Sequence, residues 1–229
     1  MKLLLKSLKT GIAGCALILF AVPIFAADTD KAAKKEDAHG PREDVQEAVQ
    51  VIQRMQSDTE VNQLLERASG VFVIPDYAAA ALIVGGAGGE GVLIPKTNNE
   101  WGHPAFYDVG SISAGIQAGV EAGSIAMILL SDEALQSFNQ ENNFSLNADA
   151  GLSVVNWSAK TRAQAGIEGD VVVWADTEGL FGELAVSVSD VNWDNDENTA
   201  YYGEEITAEQ ILSGNIPATR KQELGQVSQ

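Results

Sequence analysis

The sequence predicts an α+β fold: a mainly antiparallel β-sheet, barrel- or sandwich-like, with amphipathic helices before it and a short helix after it. Between residues 70 and 115, short β-branched apolar runs alternate with glycine clusters, a pattern typical of buried strands joined by tight turns. Before residue 70, apolar residues recur at helical spacing. Strands and helices do not alternate along the chain, so a parallel α/β sheet is disfavoured.

The first 26 residues have the pattern of a secretory signal peptide. Three lysines precede an apolar run at residues 12–22, and Ala26 offers a small residue at the cleavage position. The apolar run is too short for a comfortable membrane span. We therefore expect cleavage after Ala26 and a periplasmic or secreted protein.

A lipoprotein is the alternative for the same segment. Ile12-Ala-Gly-Cys15 matches a bacterial lipobox, so Cys15 is the candidate lipid anchor. Lysines interrupt the apolar stretch before Cys15, and the continuous apolar run follows it, which favours cleavage after Ala26. Cys15 is the single cysteine, so the mature chain is expected to have no disulfide.

The chain is strongly acidic, with a formal net charge of −18 at pH 7. Removal of residues 1–26 takes away three lysines and no acidic residue, which lowers the charge by three, to −21. Such a surface repels nucleic acid and also anionic lipid headgroups. We therefore expect no nucleic-acid partner.

The mature chain is expected to be one domain, residues 42–213, between a flexible linker, 27–41, and a polar tail, 214–229. The apolar residues of 42–56 recur at helical spacing, which predicts a helix packed on the core. Ser57-Asp-Thr-Glu60 is a capping-box pattern that begins a second helix, which Gly70 is expected to close.

Short apolar runs predict the strands that follow. Pro75 and Pro95 are expected to mark where two of them end. Ser131 is expected to cap a short helix to about residue 139, and Thr207-Ala-Glu-Gln210 to open the last one. The predicted strands are 71–75, 80–85, 91–95, 104–110, 112–120, 123–130, 147–155, 171–174 and 184–189.

Several of these segments, in this order, resemble the SYLF domain, the lipid-binding domain of the Ysc84 group of actin-regulating proteins. The resemblance covers about residues 43–212, nearly the whole mature chain. The matching residues are Gly70-Val-Phe-Val-Ile-Pro75, Ile83-Val-Gly-Gly86, Gly91-Val-Leu93, Trp101, Pro104-Ala-Phe-Tyr107, Gly115-Ile-Gln-Ala-Gly119, Gly179-Leu-Phe-Gly182 and Tyr201-Tyr-Gly203.

The resemblance implies a non-enzymatic module that binds a phospholipid or membrane surface, here in the bacterial cell envelope. It implies no cofactor. Actin is not expected as a partner, because the signal peptide exports the chain. The alternative is an envelope interaction or structural protein that binds another protein.

No motif predicts an enzyme. Gly86-Ala-Gly-Gly-Glu-Gly91 has the G-x-G-x-x-G spacing, but a dinucleotide site needs a helix next, and Val92-Leu-Ile-Pro95 is strand-like. His103 is the only histidine inside the predicted domain, and the sequence has no Gly-x-Ser-x-Gly motif. We interpret the glycines as turn residues.

Aromatic residues are the candidates for lipid or partner binding, because tryptophan and tyrosine suit interfaces that are dry at one end and wet at the other. Trp101, next to a polar turn, is the strongest surface candidate, whereas Phe106 and Phe181 are also explained by core packing. The candidate set is Trp101, Phe106, Tyr107, Phe181, Tyr201 and Tyr202.

One acidic stretch suggests a weak calcium site. Oxygen side chains at alternate positions follow the spacing of an EF-hand loop, but its sixth position is Asn195 rather than glycine and its twelfth is Tyr201 rather than glutamate. A solvated turn is the competing interpretation. The candidate ligands are Asp190, Asn192, Asp194 and Asp196.

Overall fold

The computed structural model confirms the α+β class. It describes residues 40–80, 86–97, 100–113, 120–140, 143–146, 151–157, 169–176 and 187–216, which all lie in the compact unit His39–Gln229. The predicted signal peptide, Cys15 and most of the predicted linker and tail lie outside the described residues. None of the described helices is both long and apolar enough to cross a bilayer.

Five helices and eight strands make up the described part of the chain. The helices are α1 (Pro41–Gln56), α2 (Thr59–Arg67), α3 (Asp132–Gln136), α4 (Asn195–Tyr202) and α5 (Ala208–Leu212), with a turn of 3-10 helix at Ser137–Asn139. The strands are β1 (Gly70–Ala80), β2 (Gly86–Thr97), β3 (Glu100–Trp101), β4 (Ala105–Ser113), β5 (Val120–Leu129), β6 (Val154–Asn156), β7 (Val171–Ala175) and β8 (Ser187–Trp193).

The strands form one curled sheet in the order β6-β7-β5-β1-β2-β4-β8, and β3 pairs with β2 outside this path. Among the described pairs, only β6 and β7 run parallel. The long strands β1, β2, β4 and β5 are joined as antiparallel neighbours, as the sequence pattern predicts. The glycines of residues 86–91, interpreted from the sequence as turn residues, instead lie in the first half of β2 and pair with neighbouring strands, which corrects that interpretation.

The two faces of the sheet bury separate hydrophobic clusters. Alternate side chains of a strand point to opposite faces, so Phe72 and Ile74 pack with α3 and α5 residues while Val71 and Val73 pack with α1 and α2. Helices thus cover both sides of the sheet. This explains why β1 reads as a continuous apolar run rather than an alternating one.

Pro75 and Pro95 do not end their strands, which corrects the prediction. Pro75 lies inside β1 where the register with both neighbouring strands shifts, between Ile74 and Tyr77 on one side. Pro95 pairs with Gly70 near the end of β2. A proline cannot donate a ladder hydrogen bond, and a bulge is a place where a strand tolerates that loss.

The helix signals are confirmed, with small changes at the ends. The cap of α2 is Asp58 rather than Ser57, because the Asp58 carboxylate accepts from the backbone N–H groups of Glu60 and Val61. α2 ends at Arg67 with Ala68 as its C-cap, and Gly70 already belongs to β1. Ser131 and Thr207 cap α3 and α5 as predicted, and Thr207 forms a complete capping box.

Candidate functional site

An open apolar groove of about 430 Å³ lies beside α1. One wall is a stripe of α1 at helical spacing that includes Val45, Val49 and Ile52. Trp101, from β3, also lines the groove. The remaining lining residues are Gln53, Gln56, Ile94, Gly102, His103, Pro104 and Tyr201.

The Trp101 side of the groove is held by β2 and by α2. Lys96 of β2 is the register partner of Trp101 and places its ammonium group 5.2 Å from the centre of the indole ring. The same ammonium donates to the carbonyls of Leu65 and Glu66 in the last turn of α2, at 3.0 and 2.8 Å. Lysine suits this position because helix C-termini present unsatisfied carbonyls and negative dipole charge.

The part of the groove lined by Pro104 and Tyr201 is held in place by α4. The Tyr202 hydroxyl donates to the Pro104 carbonyl at 2.6 Å, in a buried position. The Tyr201 ring packs against Phe106 with centroids 5.2 Å apart. The groove therefore joins four parts of the chain that are far apart in sequence: α1, β2, the Trp101–Pro104 segment and α4.

The structure separates the predicted aromatic residues into two groups. Trp101, at 40% exposure, and the partly buried Tyr201 line the groove. Phe106, Tyr107 and Tyr202 are at most 1% exposed. We reassign these three from the binding site to the core.

The buried tyrosines have internal hydrogen-bond partners. The Tyr107 hydroxyl donates to the Phe138 carbonyl at 2.6 Å, as that of Tyr202 does to Pro104. Burial raises the pKa of Tyr202 far above its ordinary value, with a further contribution from Tyr201. Phe181 lies outside the described residues.

Sequence reasoning missed Val49, which was expected to pack on the core. It is 39% exposed, and Val49 and Trp101 are the exposed large hydrophobic side chains among the described residues. The apolar residues of the narrow buried seam of α1 are Ala48, Val51, Ile52 and Met55. The apolar face of α1 is wider than this seam, since Val45 and Val49 lie at its edge, and this extra width is the signal in the sequence.

A cluster of carboxyl groups lies at the N-terminal end of α1, next to Val45. Oxygen atoms of Asp44 from α1, Glu90 from β2 and Glu197 from α4 all lie within 4.8 Å of one another. Asp44 is only 6% exposed and occupies the buried seam, four residues before Ala48. An acidic residue in a buried helical stripe is a signal visible in the sequence, which the sequence analysis did not use.

Burial and neighbouring carboxylates raise the pKa of two groups in this region, Glu197 and Asp108. Burial, then the charges of Asp44 and Asp194 and a hydrogen bond with Asp44, raise the pKa of Glu197 to about 9, with a smaller contribution from Glu90. Burial, then Asp194 and Glu90, raise the pKa of Asp108 to about 6. The Asp44–Glu197 pair therefore holds one proton at pH 7, in the hydrogen bond between the two side chains.

The residues predicted to bind calcium do not form a loop, which corrects that interpretation. Asp190 and Asn192 lie in β8, Asp194 caps α4 by accepting from the Glu197 N–H at 2.8 Å, and Asp196 is in the first turn of α4. Asn192 is engaged as well, since its Oδ1 accepts from the Asn143 N–H at 3.0 Å. We assign no metal site to these residues.

Comparison with known proteins adds a family to this geometry. The family model Ysc84, described as Las17-binding protein actin regulator, matches residues 110–228. Protein YSC84 of Saccharomyces cerevisiae is 29% identical to the chain over 157 residues, which cover 67% of this chain and 34% of the yeast protein. LAS seventeen-binding protein 3 from the same organism has the same identity and coverage.

Mammalian relatives are more distant. SH3 domain-containing YSC84-like protein 1 of Homo sapiens is 21% identical over 157 residues, which cover 67% of this chain and 46% of the human protein. The chain thus spans about a third of its yeast relatives and less than half of the human one.

Proposed function

The chain belongs to the Ysc84 family, and on that premise we propose that its domain binds phospholipid through the groove beside α1. The observation that carries the proposal is that Val49 and Trp101, the exposed large hydrophobic side chains in the described part of the chain, both line one groove. Contiguous exposed apolar surface in a folded protein is typical of an interaction site.

The chemistry of the lining favours an acyl chain or the apolar edge of a bilayer. Among the described residues of the groove, only His103 and Tyr201 have titratable side chains, and the others are aliphatic, aromatic or amide. Tryptophan at the rim suits the headgroup level of a bilayer, where one end of the indole is dry and the N–H is wet. We therefore propose a binding module rather than an enzyme.

The charge of the chain selects the kind of lipid. A formal charge of −18 disfavours a surface of anionic headgroups, and α1 adds acidic residues such as Glu43 and Glu47 beside the groove. We propose that the preferred partner is a zwitterionic or neutral lipid. The pattern of residues 1–26 supports export and a role in the bacterial cell envelope.

Vesicle flotation tests the lipid proposal. The purified chain is mixed with phosphatidylcholine vesicles, with vesicles that also contain phosphatidylserine, or with buffer alone. We expect flotation with phosphatidylcholine and less flotation with the anionic mixture. Trp101→Ala and Val49→Ala should each weaken binding while the thermal midpoint changes little, since both side chains are substantially exposed.

Val155→Ala is the matched control for Val49→Ala. Val155 is a half-buried valine of β6 that does not line the groove, so its truncation should leave flotation unchanged. If Trp101→Ala floats as well as the unaltered chain, the groove is not the lipid site.

A protein partner is the second candidate, since the names of the family model and of a yeast relative refer to Las17 binding. That proposal also uses the exposed Val49 and Trp101. It predicts no flotation with either vesicle and a loss of partner binding in Trp101→Ala.

A further inference from the structure

The two helices that form walls of the groove are also joined by the carboxyl cluster. Val45, in the α1 wall, follows Asp44 directly, and Tyr201, in the α4 wall, is one helical turn after Glu197. Carboxyl oxygens of Glu197 and Asp44 lie within 4.8 Å of each other between these helices, and a hydrogen bond between the two side chains contributes to the raised pKa of Glu197. Two carboxyl groups can form such a bond only while one of them retains its proton.

We propose that this proton is a latch: while Glu197 is protonated it holds the start of α1 against α4, and its loss releases that end of α1 and opens the groove. This regulation rests on the proposed lipid site, but the latch itself concerns the contact between two helices. It can therefore be measured without lipid.

The groups that face the latch explain why proton loss is disruptive. Glu90 of β2 and Asp194, at the junction of β8 and α4, both act electrostatically on Glu197, and the same two groups act on Asp108 of β4. Glu90 and Asp108 are direct register partners of an antiparallel pair, a position where like charges repel. Arg42, two residues before Asp44, acts electrostatically on Tyr201.

The opposite end of α1 has a separate attachment, so release should be local. Arg54 Nη2 donates to Ser124 Oγ at 2.9 Å and lies 3.5 Å from the Asp176 carboxylate. Asp176 in turn accepts from the Ser124 N–H at 3.0 Å. Val45 and Val49 lie toward the Asp44 end of α1, so loss of the latch moves the groove wall while Arg54 keeps the helix attached.

The sign of the pH effect follows from the raised pKa of Glu197. In the unfolded chain this group loses its proton near 4.5, whereas in the folded chain it keeps the proton up to about pH 9. The folded state therefore binds more protons between these values, and stability falls as pH rises through that range. The latch is closed at neutral pH and opens at alkaline pH.

Thermal unfolding of the full chain between about pH 5 and pH 9 tests the expected fall in stability with rising pH, with Glu197→Gln as the variant. Glutamine keeps the shape and the donor of the protonated acid without the charge. We expect the midpoint of the unaltered chain to fall by roughly 3–8 °C over this range, and that of Glu197→Gln to fall by less than half as much. Glu204→Gln removes the same charge from an exposed position and should retain the full fall.

Iodide quenching of tryptophan fluorescence, followed over the same pH range, reports the groove itself. Trp101 should become more quenched at alkaline pH in the unaltered chain and not in Glu197→Gln, with Trp101→Phe used to isolate its signal. His103 also lines the groove and an imidazole ionises in this range, so His103→Gln is included and should keep the alkaline change.

Three results overturn the latch. Glu197→Gln could follow the same pH course as the unaltered chain, or His103→Gln could abolish the alkaline change. Added calcium could raise the midpoint of the unaltered chain but not that of Glu197→Gln, which would show that a cation rather than a proton occupies the cluster. If the latch signals hold but Trp101→Ala floats as well as the unaltered chain, the latch stands and the groove is not the lipid site.

Discussion

Asn198 binds both backbone groups of Phe106: its Nδ2 donates to the Phe106 carbonyl at 2.8 Å, and its Oδ1 accepts from the Phe106 N–H at 3.2 Å. The side chain of a helix thus bonds to the start of β4 as a further strand would. Asn198 is 1% exposed, and this contact docks α4 against the sheet beside the groove.

Asn198→Ala should lower the free energy of unfolding by about 2–3 kcal/mol, because it leaves the buried Phe106 N–H without its partner and removes one of two hydrogen bonds to the Phe106 carbonyl, which also accepts from the Asp194 N–H at 3.1 Å. Urea unfolding followed by far-UV circular dichroism measures the change. Asn195→Ala, an exposed asparagine in the first turn of α4, is the control and should stay within about 0.5 kcal/mol. Equal effects of the two substitutions would contradict this role of Asn198.

Gly91→Ala should destabilise the domain by about 1–3 kcal/mol, because a Cβ at this position would lie against the ring of the buried Phe72 on the neighbouring strand. Gly40→Ala has open space around the new methyl group and serves as the control. Adding Phe72→Leu should recover part of the loss caused by Gly91→Ala, and strict additivity in the double variant would argue against the contact.

Tyr202→Phe and Tyr107→Phe form a matched pair. Each removes a hydroxyl that donates at 2.6 Å to a buried carbonyl, so each should cost about 1–2 kcal/mol of stability. Only Tyr202 bonds to Pro104, which lines the groove. We therefore expect weaker flotation with phosphatidylcholine vesicles for Tyr202→Phe alone, and an equal loss in both variants would disconnect α4 from lipid binding.

Asp108 should make a second, smaller contribution to the pH dependence of the free energy of unfolding. Burial and the charges of Asp194 and Glu90 raise its pKa from 3.8 to about 6, so the folded chain holds this proton more tightly than the unfolded chain does. Stability therefore falls as pH rises between these values. Because the Asp108 residue is exposed, solvent screens the repulsion, and the fall should stay below about 1 kcal/mol.

Asp108→Asn should make the fall in stability between about pH 4 and pH 6 less steep, leaving the part due to Glu197, whereas Asp76→Asn, at an exposed position of β1, should keep the full fall. Urea unfolding at about pH 4, 5 and 6 makes the comparison. An unchanged slope in Asp108→Asn would show that another group is responsible.

The N-terminal segment gives a prediction that needs no structure. Mass spectrometry of the exported chain should find a mature protein that begins at residue 27, as expected for cleavage after Ala26. A lipid-modified Cys15 at the N-terminus would instead establish the lipoprotein alternative.

The sequence determined the elements whose signals are local. Ser131 and Thr207 cap helices wherever the chain folds, because a side-chain oxygen next to the first turn satisfies its free N–H groups. The helical spacing of residues 42–56 and the β-branched runs of β1, β2 and β7 likewise predicted their elements. The family resemblance was visible for the same reason: its motifs are contiguous residues.

Only the tertiary structure decided what depends on neighbours distant in the chain. β1 continues through Pro75 because the strands on both sides accommodate a shift of register there. Residues 195–202 form a helix rather than a turn, with Asp194 as its cap and Asn198 bonded to Phe106, 92 residues earlier.

The groove and the carboxyl cluster also depend on residues that are distant in the chain. Val49 and Trp101 are ordinary apolar residues in the sequence, and Asp44 and Glu197 are two acids among 32. The first pair lines one groove and the second pair shares a proton only because the fold brings residues from distant parts of the chain together. Local pattern therefore specified which helices and strands form, and long-range packing specified which of their side chains can act together.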